Sequence, residues 1–151
     1  MGQDHVSIKR SVYAINTALD NGAELLSNKE WLNIGKAFNI FYESLKYHIQ
    51  LEDTILYDNA QTHTKENSVF YTLIADHLQI MELLNDCDSA LKVYERRNFS
   101  VFFSRLADLL EEHTIREEAL MNVDSSSLEA SAREIIVLLK NVHVCENGRT
   151  R

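Results

Sequence analysis

The chain has 151 residues, of which 45% are hydrophobic and 25% are charged, a balance typical of one soluble globular domain. Its net charge of −8 disfavours nucleic acid and anionic membrane surfaces as partners, because both are negatively charged. The chain has no proline and only four glycines, whereas folds rich in strands and turns use both residues at their corners. The composition therefore predicts an all-α fold of long helices joined by few loops.

Neither a membrane span nor an export signal is predicted. No apolar run reaches the roughly 20 residues that a bilayer-spanning helix needs, and the N-terminal MGQDHVSIKR lacks the apolar stretch of a signal peptide. The two cysteines, Cys87 and Cys145, are far apart and form no C-x-x-C motif. We therefore expect a cytoplasmic protein with reduced thiols and no membrane partner.

Four long segments show helical periodicity, and a shorter fifth follows them. Their approximate ranges are 5–26, 28–57, 68–94, 101–121 and 124–144. Capping residues separate the first two segments at Ser27 and Asn28, a polar loop follows at 58–67, and a turn is expected over 95–100. Helices of this length with short connections favour an up-down-up-down four-helix bundle, here with a short C-terminal fifth helix. We expect the bundle to span residues 1–145, with 146–151 as a tail.

The predicted inner face of each long segment carries one histidine among apolar residues. On the fourth segment the predicted stripe consists of Phe102, Leu106, Leu109, Leu110, His113, Glu117 and Met121. The histidines on the four stripes are His5, His48, His77 and His113. His63 and His143 lie in the polar loop and near the end of the last helix, and we interpret both as solvated.

The spacing of the four inner histidines places them at one height in the bundle. In an antiparallel helical pair, residues equidistant from the turn lie side by side, because each residue rises by the same amount. The point midway between His77 and His113 is Glu95, at the start of a predicted turn. The midpoint of His5 and His48 falls at the Ser27–Asn28 break, and that of His48 and His77 falls inside the polar loop. The four imidazoles are therefore predicted to meet in one layer of the interior.

Two carboxylates accompany these histidines at a fixed spacing. Glu52 follows His48, and Glu117 follows His113, by four residues, which places each pair on one helix face one turn apart. Several neutral imidazoles in an apolar core leave polar atoms unsatisfied at a cost of about 1–3 kcal/mol each, and a metal ion removes that cost. Mixed imidazole and carboxylate donors suit iron, manganese or zinc. The alternative is that both glutamates are solvated surface charges.

Over nearly the whole chain these residues resemble the hemerythrin-like, or HHE cation-binding, family. That family carries a histidine at the start of the first helix, H-x-x-x-E on the second, a histidine on the third and H-x-x-x-E on the fourth. The matching residues are His5, His48, Glu52, His77, His113 and Glu117, and the segments DHVSIKR, HIQLEDTILY and HTIREEALM are also similar. The resemblance implies two iron ions bridged by the two glutamates and by an oxo or hydroxo group, with manganese or zinc less favoured.

The chain departs from the oxygen-carrying members at two positions. They have H-x-x-x-H on the third helix, where this chain has Met81, and they end with H-x-x-x-x-D, where it has Glu118. Either Glu117 or Glu118 is therefore a candidate bridge, and we favour Glu117 because it repeats the spacing of His48 and Glu52. One histidine fewer implies more open coordination positions. The ligand set resembles that of the iron–sulfur cluster repair proteins of the family.

Three functional hypotheses compete. The first is a module that binds or senses O2, NO or redox state and reports to a signalling partner or fused domain. The second is an enzyme that reduces NO or peroxide or delivers iron for cluster repair. The third is a metal-free helical interaction domain. The residues themselves do not decide whether the protein is an enzyme, and they do not determine its oligomeric state.

Overall fold

The computed structural model describes residues 5–59, 67–123, 126 and 130–149, with the side chains of 5–6, 58–59, 67–69, 131 and 143–149 excepted. Every described element is helical, which confirms the predicted all-α class. The helices are α1 (His5–Leu19), α2 (Asn28–Asn59), α3 (Asn67–Lys92), α4 (Arg96–Met121) and α5 (Ala130–Arg149), with a short 3₁₀ helix at Ala23–Leu25. None of the described helices is long and apolar enough to cross a membrane.

The first four helices pack as a closed bundle in which α1 and α3 both contact α2, and α4 contacts α1 and α3. The contacts between α2 and α3 show that these two helices are antiparallel. Tyr42 donates a hydrogen bond to Asn85, whereas Glu52, later on α2, contacts His77, earlier on α3. Rising numbers on α2 therefore pair with falling numbers on α3, as an antiparallel bundle requires.

The first helix ends seven residues earlier than the sequence predicts, at Leu19 instead of Leu26. Gly22 follows with a φ of 101°, a left-handed conformation that glycine adopts without steric cost. The connection is then held by Arg96 on α4, whose guanidinium donates hydrogen bonds to the Leu26 carbonyl (2.6 Å) and to Asn28 (3.0 Å) and lies over the Trp31 ring. Tertiary contacts thus shape a segment whose apolar pattern alone favours a longer helix.

The start of α2 is a capping box, in agreement with the capping residues predicted there. The Ser27 hydroxyl accepts a hydrogen bond from the Glu30 amide (3.0 Å), and the Glu30 carboxylate accepts one from the Ser27 amide (2.8 Å). These reciprocal bonds lower the pKa of Glu30 from its ordinary value. The two bonds satisfy amides that the helix itself leaves without a partner.

Replacing Ser27 with alanine is expected to lower the free energy of unfolding by about 1 kcal/mol, because the Glu30 amide loses its acceptor. Urea unfolding followed by circular dichroism measures the change. Ser104→Ala is the matched control, because Ser104 is exposed in the middle of α4, where alanine is the better helix former. A control that destabilises as much as Ser27→Ala would contradict the capping role.

The larger core lies toward the end of the bundle at the α3–α4 turn and is built on aromatic rings. Phe38, Phe99 and Phe103 are fully buried, with ring centroids of Phe38 and Phe99 5.3 Å apart. The turn itself is short, and Tyr94 adopts a φ of 60° within it. Because α4 begins at Arg96, Phe99 lies inside the helix and not in the predicted 95–100 turn.

The fifth helix has 20 residues, about as many as predicted, but it begins six residues later and ends five residues later than the predicted 124–144 segment. Its apolar residues Ile135 and Leu139 are buried in a second cluster with Leu56 of α2, Phe70 of α3 and Leu120 of α4. This cluster closes the end of the bundle opposite the aromatic core. The polar side chains described below lie between the two apolar clusters.

Candidate metal centre

Three helices bring four donor side chains together between the apolar clusters. The ligand atoms of Glu52, His77, His113 and Glu117 all lie within 4.8 Å of one another. Each of these residues is almost completely buried, Glu117 entirely so. Buried acidic and imidazole groups gathered this closely are rare in proteins unless they are paired or hold a metal ion.

Glu52 is the residue that connects the histidines. One carboxylate oxygen lies 3.2 Å from His48 Nε2, and the other lies 3.1 Å from His77 Nε2. The Nε2 atoms of His77 and His113 are 3.2 Å apart, and His113 Nε2 lies 3.5 Å from Glu117 Oε2. Each histidine thus directs its Nε2 atom toward the carboxylates in one compact site.

Two further aspartates hold the opposite edges of the rings. Asp53 accepts a hydrogen bond from His77 Nδ1 at 2.6 Å, and Asp76 accepts one from His113 Nδ1 at 2.9 Å. When Nδ1 carries the proton, the lone pair of a neutral imidazole resides on Nε2, the atom that faces the cluster. A carboxylate behind a ligating histidine orients the ring and raises its basicity. The arrangement thus prepares both imidazoles to bind a cation.

Asp76 is itself fixed by Arg116 on α4. The guanidinium donates to both carboxylate oxygens, from Nε at 3.0 Å and from Nη2 at 2.8 Å. Such a two-point contact sets the orientation of the carboxylate, because both groups are planar. The arginine also compensates the negative charge of a carboxylate that is largely withdrawn from water.

Sequence reasoning missed Asp53 and Asp76. A signal for Asp76 was present, since it lies three residues after Leu73 and four before Ile80, both of which are fully buried. A charged residue at that position of an apolar stripe needs a partner. The partner is on another helix, however, so the helical pattern does not identify it.

The electrostatics of the metal-free cluster favour a bound positive charge. Burial lowers the pKa of His77, but hydrogen bonds to Asp53 and Glu52 and the charges of both carboxylates outweigh it and raise the pKa to about 9. Without metal, the His77 imidazole is therefore a cation at neutral pH, with a proton on each ring nitrogen. A metal ion takes the place of the Nε2 proton when the ring becomes a ligand.

A small enclosed cavity of about 20 Å³ lies beside these residues. It is lined by apolar side chains of α1 to α4 and by His48, Glu52, His77 and His113. Roughly 10–15 Å³ is enough for one water molecule, so this cavity accommodates a molecule of one or two non-hydrogen atoms. Ile80 lines it, whereas the neighbouring Met81 does not.

The structure distinguishes the two glutamates that the sequence left as alternatives. Glu117 is buried in the cluster, and Glu118 is exposed to solvent. His48 joins the cluster through Glu52. The side chain of His5 lies outside the described residues, as do those of His63 and His143; α1 nevertheless begins at His5, and Ile8, one turn later, lines the cavity.

Replacing Asp76 with asparagine is expected to weaken metal binding about 10- to 100-fold, because the residue behind His113 loses its charge and its ionic contact with Arg116. Competition with a chromogenic chelator measures the affinity. Asp86→Asn serves as the control, since Asp86 lies on the same helix away from the cluster. Equal affinities for parent and Asp76→Asn would show that the aspartate does not support the site.

Of the comparisons with known proteins, the family model agrees with this geometry. No curated protein and no solved structure matches the chain. The family model described as the hemerythrin HHE cation-binding domain matches residues 1–124, which include α1 to α4 and the whole donor cluster. The chain therefore belongs to the hemerythrin HHE cation-binding family, as the resemblance of its histidine and glutamate motifs indicates.

Proposed function

We propose that this protein binds a pair of iron ions and uses them to bind or sense a small diatomic ligand, O2 or NO. The proposed ligands are His5, His48, Glu52, His77, His113 and Glu117. The family supports a bound cation, and the buried donor cluster supports its position. The choice of iron rests on the donor chemistry, and the choice of a diatomic ligand rests on the small space at the site.

The observation that carries the proposal is the position of Glu52. Its two oxygens face two different imidazoles, those of His48 and His77, at 3.2 and 3.1 Å. A carboxylate that bridges two metal ions needs one oxygen for each ion, with each ion also bound by its own nitrogen ligands. The donor set therefore fits two ions better than one. Nitrogen and carboxylate donors together suit iron, with manganese and zinc as alternatives.

The ligands leave room only for a small molecule. The cavity of about 20 Å³ among the metal-free donors is far too small for an organic substrate, which favours a ligand of very few atoms. A bound iron pair would supply redox-active ions with coordination positions for such a ligand. The role of the protein is to hold the imidazoles through Asp53 and Asp76 and to exclude bulk water with the two apolar clusters.

Elemental analysis together with absorption spectra of the oxidised and reduced protein tests this proposal. We expect about two iron ions per chain, as in other bundles that hold di-iron centres. Stopped-flow mixing of the reduced protein with O2 or NO should then change the spectrum. A purified chain without metal, or a loaded chain that responds to neither gas, would contradict the proposal. Sustained consumption of NO or peroxide with an electron donor would instead indicate an enzyme.

A further inference from the structure

We propose that small uncharged molecules reach the metal cavity from the groove between α1 and α4, through a gate formed by Ile8, Leu110 and Thr114. This inference rests on the proposed function, because it concerns access to that same centre. It adds the route of entry and the residues that control it. A surface groove and the cavity at the metal site share one wall.

The groove has a volume of about 480 Å³. It runs along α1 and α4 between the exposed side chains of Tyr13 and Ile115. Three of its lining residues, Ile8, Leu110 and Thr114, also line the 20 Å³ cavity beside the histidines. One layer of side chains therefore separates solvent from the site.

Other grooves do not offer this connection. The groove between α3 and α4 has a volume of about 430 Å³ and is lined by residues that include Thr72 and Arg116. The one between α1 and α2, of about 270 Å³, includes Ile15 and Ile34. Within the described part of the chain, neither shares a lining residue with the cavity. Of these three grooves, the α1–α4 groove is the one that shares lining residues with the cavity.

The chemistry of the path selects the class of molecule. Two of the three gate residues are aliphatic, and the third has a short hydroxyl side chain, so a passing ion would lose its water without gaining a counter-charge. Asp108 and Glu111 add negative charge at the groove, against one amine from Lys9. An uncharged diatomic molecule meets neither barrier. The gate therefore favours O2 and NO over anions.

The gate residues have little free space, since all three are more than nine-tenths buried. Passage therefore requires their side chains to change rotamer, and this motion limits the rate of entry. Leu110 lies on α4 one turn before His113, so truncating its side chain to alanine opens the wall beside that imidazole. Leu110 is not one of the proposed metal ligands.

Replacing Leu110 with alanine is expected to raise the rates at which NO binds to and leaves the reduced iron-loaded protein, each by about tenfold. The dissociation constant should change little, because a gate affects entry and exit equally. Stopped-flow absorption measures association, and release into an NO trap measures dissociation. Leu109→Ala is the matched control, because the neighbouring leucine lines neither groove nor cavity. Unchanged rates in a folded Leu110→Ala protein would overturn the gate.

A second measurement does not depend on iron or on any variant. The zinc-loaded full chain is placed under O2 pressure, and the relaxation of its methyl protons is measured by NMR, since dissolved O2 is paramagnetic. We expect stronger enhancement at the methyl groups of Ile8 and Leu110 than at those of Leu19 and Ile74, which are similarly buried but line neither space. Equal enhancement at all four residues would overturn the route. Entry of O2 without NO binding by the iron-loaded protein would refute only the proposed function.

Discussion

Replacing Glu117 with glutamine is expected to lower the metal content of the purified protein from about two ions per chain to one or none, because a neutral amide binds divalent cations weakly and cannot bridge two of them. Glu117 is fully buried, with an oxygen 3.5 Å from His113 Nε2. Glutamine has nearly the same shape, so the substitution removes charge and leaves the packing in place.

Glu118→Gln provides the matched control for this prediction. The same substitution is made one residue later on the same helix, where the side chain is exposed to solvent. Its metal content should equal that of the parent, as measured by elemental analysis. Loss of metal from Glu118→Gln with retention in Glu117→Gln would instead assign the ligand to position 118.

The metal-free Glu117→Gln protein is a control for folding. Burying a charge costs free energy, and glutamine removes that charge. Metal-free Glu117→Gln should therefore unfold at a temperature no lower than that of the metal-free parent. If the variant is as stable as the parent without metal, its low metal content results from the loss of a ligand and not from unfolding.

Replacing Phe103 with alanine is expected to lower the free energy of unfolding by about 3–5 kcal/mol, which is a large part of the stability of a domain of this size. The ring is fully buried and lies 5.9 Å from Phe41 and 5.8 Å from Phe99, measured between ring centroids. Removing it leaves a cavity in the aromatic core and removes its ring contacts.

Phe102→Ala is the control for the aromatic core. Phe102 precedes Phe103 on α4 but is only partly buried at the edge of the same cluster. We expect a clearly smaller destabilisation in chemical denaturation of the two variants. Equal losses would mean that the inner face of α4 is rotated from the one described here.

The contrast between these two phenylalanines illustrates how far helical periodicity determines a core. The predicted inner stripe of α4 contained Phe102, whereas the structure buries Phe99 and Phe103 completely. The stripe around His113 and Glu117 was nevertheless placed correctly on the inner face. A helix in a bundle presents a face more than 100° wide, so pattern alone orients it only to within about one residue.

The histidine spacing was a more exact guide than the apolar pattern. Because residues equidistant from a turn meet in an antiparallel pair, the position of Glu95 midway between His77 and His113 predicts their contact. Their Nε2 atoms are 3.2 Å apart, and the turn between α3 and α4 ends at Glu95. The contact depends only on chain geometry, which is the same in every helix.

By itself the sequence determined the all-α class and the inward faces that carry His48, His77 and His113, because helical periodicity and rise depend on the backbone alone. Its histidine and glutamate motifs also indicated the family by resemblance. The tertiary structure decided which atoms meet across helices. It placed Asp53 behind His77, joined Asp76 to His113 and Arg116, and buried Glu117 while exposing Glu118. Those pairings depend on how each helix is rotated and tilted against its neighbours, and side-chain packing across the whole bundle sets both.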